Sequence, residues 1–188
     1  KVIPEKGDLN EYFFLKNDFA FTVARIQSDN NIQLLLDSID NKASMPLVFV
    51  GNWNNSKYGK KIRKKYSKKS NLILLDAIYD VRKLNLLRSN CTIYVHGHSA
   101  GGTNPALVEA MNLSLPILAF DCNFNRYTTE QKCKYFLNSE ELSYLLKNIS
   151  KEESDDIGSS MFDIVKKRYK WKMIVEKYSK VLDNKYII

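Results

Sequence analysis

The side chains with most chemical potential crowd into one stretch, YVHGHSAGGTNPALVEAM, at residues 94–111. Two imidazoles (His96, His98), a glycine pair (Gly101, Gly102), Thr103 and Asn104 precede a helical pattern that carries Leu107 inward and Glu109 outward. An apolar, β-branched run from Cys91 to Val95 leads into them. Strand, glycine-rich loop and helix N-terminus together make an anion site. Glycine lets backbone approach a ligand, Thr or Asn can cap the helix, and Pro105 gives up no needed N–H. Free N–H groups and the helix dipole then face the loop's occupant, most often a phosphate. The same pattern also serves as a plain strand-to-helix turn. His96-x-His98 invites a metal reading, but the chain has only these two histidines and no suitably spaced carboxylate, so no metal is expected.

The elements around this stretch read as alternating strands and helices. FAFTVARI (residues 19–26) is the first strand, with Arg25 near its end. Ser28, Asp29 and Asn30 cap a helix from Asn31 to about Ile39. Leu47 to Val50 is the second strand and Leu72 to Leu75 the third. Between them, Tyr58 to Lys69 forms a basic helix, with Lys57, Lys60, Lys61, Lys64, Lys65 and Lys68 on one face and Tyr58, Ile62 and Tyr66 on the other. Asp80 caps a helix through Val81, Leu84, Leu87 and Arg88. Leu115 to Phe120 is the fifth strand. A polar loop from Asp121 to Glu130, a short strand at Tyr135–Phe136 and a helix from Ser139 follow. A long last helix spans roughly Glu153 to Asp183, with a break near Gly158 and a stripe from Trp171 read as core contacts. Residues 1–17 read as linker and approach, with Tyr12, Phe13 and Phe14 against the domain edge. The alternation predicts an α/β, Rossmann-like, doubly wound parallel sheet with helices on both faces. Ligands then sit beyond the C-terminal strand ends, where Arg25, Asn52, residues 77–80 and the His-Gly-Gly loop gather.

Composition bounds the rest. The 188 residues suffice for one well-buried domain. At 44 % hydrophobic and 27 % charged, the chain is globular. Cys91 and Cys122 sit in apolar runs, so reduced thiols and a cytoplasmic setting are expected. No apolar run reaches transmembrane length. The net charge of +8 attracts anions without choosing among them. A start at Lys1, without Met, suggests a piece of something longer.

Six blocks in order resemble the C-terminal domain of a retaining, GT-B-fold family 4 glycosyltransferase, closest to the rhamnosyltransferase-like enzymes of bacterial capsule and O-antigen synthesis. They are VIP-x-x-GD (Val2 to Asp8), VAR-I with Asn30-Asn31, VGNW (Val50 to Trp53), IYD (Ile78 to Asp80), HGHSAGGTNPALVEAM (His96 to Met111) and FNRYTTE (Phe124 to Glu130). The resemblance implies a donor nucleotide-sugar-binding domain at 18–188, with the N-terminal acceptor domain outside this chain; the family's final helix crosses toward that domain, which implies that part of the Trp171 stripe is exposed here. It casts Arg25 and Glu109 as the catalytic pair: Arg25 on the donor diphosphate, Glu109 as the second glutamate of an E-x7-E motif, on the ribose hydroxyls. The usual lysine falls at Asn30, with Lys57 or Lys60 as substitutes. The usual first glutamate falls at Gly101, with His98 or the amides near Gly102 and Thr103 taking over the sugar. Thr103, Asn104 and the amides of Ala106 and Leu107 would cradle phosphate, and Ile78 would meet the base.

The expected activity is transfer of a sugar, with retention, from a UDP-, dTDP- or GDP-sugar to a saccharide or undecaprenyl-diphosphate-linked acceptor, without metal or other cofactor. The lysine face of the basic helix implies peripheral contact with anionic membrane at the inner face of the plasma membrane; a merely solvated face is the plain alternative. Arg25 as a surface ion pair and Glu109 as an ordinary first-turn acid are the plain readings of those residues. The rival functional class is a basic nucleotide- or nucleic-acid-binding module without catalysis. No ribonucleoprotein or helix-turn-helix motif supports nucleic acid, and none is expected.

Overall fold

A computed structural model describes residues 1–39 and 45–183, the last of them in backbone only. Six parallel strands form one sheet in the order β3-β2-β1-β4-β5-β6. They are β1 (Ala20–Val23), β2 (Leu47–Val50), β3 (Leu72–Leu75), β4 (Ile93–His96), β5 (Ile117–Phe120) and β6 (Lys134–Phe136). The helices are α1 (Lys6–Glu11), α2 (Ile32–Asp37), α3 (Lys57–Tyr66), α4 (Val81–Asn90), α5 (Pro105–Asn112), α6 (Asn123–Thr128), α7 (Ser139–Asn148), α8 (Lys151–Arg168) and α9 (Trp171–Asp183).

Strand alternation divides the core in two. Phe21, Val48, Val50, Tyr94, Ile117 and Ala119 face one layer, built on Leu86 and Leu87 of α4, Leu107 and Met111 of α5, and Met161 and Ile164 of α8. Ala20, Leu47, Phe49, Ile93, Val95 and Leu118 face the other, built on Leu35 and Leu36 of α2, Ile62 and Tyr66 of α3, and Leu142 of α7. Burial on both faces explains why the strands read as continuous apolar runs. The predicted doubly wound α/β sheet and long C-terminal helix are present.

Local expectations need four corrections. The N-terminal segment read as a linker is folded onto α4. Tyr12 and Phe14 are buried while Phe13 is exposed. Arg82 binds Asp8 through both guanidinium nitrogens at 3.0 and 2.9 Å, and this holds the Asp8 carboxyl down at about 2. The 121–130 stretch read as a loop contains α6, whose side chains brace the sheet end. Of the stripe read as core contacts, Trp171, Val175 and Tyr178 are exposed. The C-terminal helix breaks at Tyr169–Lys170, not at Gly158. Gly158 continues α8 because it is where that helix crosses the Ser114 carbonyl, too close for any Cβ. The final five residues of the expected 18–188 domain lie outside the described residues.

This crossing makes a direct prediction. Gly158→Ala should destabilise the fold by about 1–3 kcal/mol through overpacking, read as a lower urea midpoint at unchanged slope; an unchanged midpoint would remove the close approach.

Candidate functional site

The sheet order reverses between β1 and β4, the place where open α/β sheets hold ligands. Four residue pairs join β1 to β2, from Ala20↔Leu47 to Val23↔Val50. Only Ala20↔Ile93 and Phe21↔Tyr94 join β1 to β4. Beyond them the two strands part. The opening is a cleft of about 390 Å³, lined by Thr22 to Arg25 and Asn30 from one side and His96 to His98 from the other. Leu84 and Arg88 of α4 and Asn104, Pro105, Ala106 and Glu109 of α5 complete its wall. The size lies within the roughly 300–1,000 Å³ typical of small-molecule sites.

Arg25 stands at the rim, exposed, and its guanidinium has no partner among the described residues. Among those residues, the plain reading of it as an ion-paired surface cation has no acid to rest on. Glu109 faces the cleft from the second turn of α5, its side chain 55 % exposed. Its Oε2 lies 2.7 Å from Nη2 of Arg88, a cation only 3 % exposed, which orients the carboxylate. Arg88 is the residue sequence reasoning missed. It stands with Val81, Leu84 and Leu87 in the helix expected after Asp80, and a charge in that apolar set was the available signal.

Asn104 caps α5, its Oδ1 accepting from the Ala106 N–H at 2.9 Å. The Leu107 N–H is bound to the Asn104 carbonyl at 3.1 Å and its side chain lies in the core. The amides expected to cradle phosphate are thus already engaged at Ala106 and Leu107. Among the described residues, the N–H groups of Gly101, Gly102 and Thr103 meet no protein acceptor. These three residues border the cleft without lining it, and Gly101 adopts φ +93°, a conformation costly for any side-chain-bearing residue. Ile78 packs against the core and Lys57 opens α3 in solvent; neither lines the cleft.

The buried side chains behind the rim are struts. Asn30 is 5 % exposed and donates from Nδ2 to the Arg25 carbonyl at 2.8 Å, while its Oδ1 meets His98 Nδ1 at 2.8 Å. It is no stand-in for a lysine cation. Asn125 of α6 is buried and donates to the carbonyls of His98 and Phe120 at 2.9 and 2.8 Å. Nothing local in FNRYTTE marked it for that work. His96 lies flat against Tyr94 on the cleft floor, and burial, with His98 nearby, pushes its pKa down to about 3.

These features define a Rossmann-like α/β domain with its cleft at the sheet's switch point and, on the rim, a cation without a partner among the described residues. The chain belongs to the glycosyl transferases group 1 family, matched over residues 10–171. No curated protein sequence matches it. Among solved structures it is similar to Anabaena Alr3699/HepE in complex with UDP-glucose, at TM-score 0.78 and 16 % identity, over 95 % of this chain and 52 % of that one. It is also similar to sucrose-phosphate synthase from Thermosynechococcus elongatus, at TM-score 0.78 and 14 % identity, over 92 % and 46 %. The C-terminal domain of the group 1 glycosyl transferase LpcC from Francisella tularensis matches at TM-score 0.66 and 14 % identity, over 89 % and 95 %. The fold is that of the C-terminal domain of a GT-B glycosyltransferase. The chain spans about half the length of the first two structures.

Two predictions rest on this wall and floor. His96 is neutral in the fold while an ordinary imidazole charges below about pH 6.5. The unfolded chain therefore binds the extra proton, and stability falls as pH drops from 6.5 toward 3, by up to about 1.4 kcal/mol per pH unit. His96→Phe should remove that share of the slope between pH 6.5 and 5 in urea titrations. Glu109→Ala should cost about 1–3 kcal/mol of stability, because it strands buried Arg88. Glu109→Ala with Arg88→Met should recover part of that loss in the same titrations.

Proposed function

We propose that this chain is the donor-binding half of a retaining glycosyltransferase, holding a nucleoside-diphosphate sugar in the switch-point cleft and passing the sugar to a saccharide acceptor. The observation that carries the reading is Arg25, unpaired among the described residues, at the mouth of a cleft whose opposite wall presents the ion-paired Glu109. A diphosphate leaving group needs positive potential fixed in advance. Arg25 supplies it, and the unengaged N–H groups of Gly101, Gly102 and Thr103 extend it along the rim. Glu109, oriented by Arg88, accepts from ribose hydroxyls. The acceptor, a lipid-linked saccharide of bacterial surface polysaccharide synthesis, is held by a partner domain, and the reaction proceeds with retention, the acceptor attacking on the face the diphosphate leaves. The lysine face of α3 draws the domain to the anionic inner face of the plasma membrane, where such acceptors reside. Among the described residues no helix is long and apolar enough to cross a membrane. HepE is described in complexes with UDP and with UDP-glucose, which makes uridine nucleotides the first to try.

Calorimetry at low salt with UDP, dTDP, GDP and the matching nucleosides should show one diphosphate binding well above its nucleoside. Arg25→Ala should weaken that diphosphate about 10- to 100-fold, the worth of one charge-assisted contact, and leave the nucleoside unchanged. No heat from any of the three would overturn the reading.

A further inference from the structure

We propose that Asn30 and His98 act as one positioning unit: Asn30 holds His98 as its Nδ1–H tautomer, so that Nε2 faces the Gly101 side of the cleft as an acceptor for a sugar hydroxyl. The hydrogen-bond pattern dictates the tautomer. The Asn30 side chain lies 2.8 Å from the Arg25 carbonyl, which can only accept, so the amide nitrogen points there. The amide oxygen therefore points at His98 Nδ1, 2.8 Å away, and Nδ1 must be the donor. Asn30 is 5 % exposed, so water does not compete for either bond. A neutral imidazole with its proton on Nδ1 carries a lone pair on Nε2.

Nε2 meets no protein donor among the described residues. It lies 3.7 Å from where a Cβ of residue 101 would stand. With glycine at 101 and open space around Gly102, no side chain intervenes there. The His98 main chain is fixed as well: its carbonyl accepts from Asn125, and Ser99 next to it donates from N and Oγ to the Asp29 carbonyl, both at 2.9 Å. The ring is thus held at one edge and its backbone on both sides, leaving one acceptor at the loop end of the cleft. Such an acceptor selects a ligand with a hydroxyl there and disfavours one without it. The role in sugar recognition rests on the nucleotide-sugar reading above; the tautomer does not.

The histidines of a ¹⁵N-labelled chain, only two in number, report directly. Long-range ¹H–¹⁵N correlation at alkaline pH should show His98 protonated at Nδ1. Asn30→Leu should shift it toward the Nε2–H form that imidazole side chains favour in water. Asn30→Asp, which keeps an acceptor in place, should retain Nδ1–H. A wild-type His98 protonated at Nε2, or one unchanged in Asn30→Leu, overturns the proposal. UDP-glucose, dTDP-glucose and GDP-mannose are then added, each against its nucleoside diphosphate. At least one sugar should move the His98 Nε2 resonance where its diphosphate does not, and His98→Ala should reduce that sugar nucleotide's affinity about three- to tenfold while leaving its diphosphate's unchanged. A diphosphate that binds with no sugar moving Nε2 overturns the sugar role. Absence of binding by every nucleotide would instead sink the function proposed above and leave the tautomer standing.

Discussion

The structure turns on the early parting of β1 and β4. Parallel strands gain their stability from the continuous ladder, and these two give it up after two residue pairs. What the ladder loses, side chains restore. Asn31 Nδ2 donates to the Gly97 carbonyl, Ser99 donates twice to the Asp29 carbonyl, and His98 meets Asn30. Each such bond is worth about 0.5–1.5 kcal/mol net, so together they rival the missing ladder. They also do what a ladder cannot. They hold two loops at a fixed distance while leaving the space between the strand ends open.

The charge layout of the cleft follows from the depth of each group. His96 on the floor is kept neutral by burial, so the floor carries no net charge. Arg88 is equally buried yet charged, and it needs Glu109 close by. The wall is therefore nearly balanced. Among the described residues of the cleft, Arg25 at the rim keeps a charge without a partner. Its position in solvent lowers its field, but an anionic ligand that displaces water from the rim would raise it. The site thus places its strongest attraction at the rim and its charge-neutral surfaces on the floor and wall.

The sequence made the frame legible because the frame is local. β-branched apolar runs, helix caps at Asp80 and Asn104, and the glycine-rich loop each show in a few neighbouring residues. Arg25 and Glu109 were legible for the same reason, as a strand end and a helix turn. Arg88 and Asn125 were not, and neither was the bracing role of Asn30. Arg88 earns its place from a carboxylate 21 positions later, and Asn30 from an imidazole 68 positions later. No periodicity announces a partner at that distance. The C-terminal stripe was legible only in part. Helical spacing of Trp171, Val175 and Tyr178 marks an apolar face correctly but says nothing of what covers it.

Among the described residues, three buried side-chain polar atoms lack a hydrogen-bond partner: Arg88 Nε, Tyr94 Oη and His96 Nε2. Arg88 and His96 line the cleft, and Tyr94 stacks on His96. Each costs about 1–3 kcal/mol where an apolar group of the same shape would cost little. The two core layers away from the cleft carry no such debt. A sequence tuned for stability alone would place leucine or phenylalanine at these three positions, as it does at Phe21 beside them. The penalty is concentrated at one place, the floor and wall where the strands part. Polar groups held rigid and short of partners are what a site needs if a ligand is to gain more from binding than water would offer.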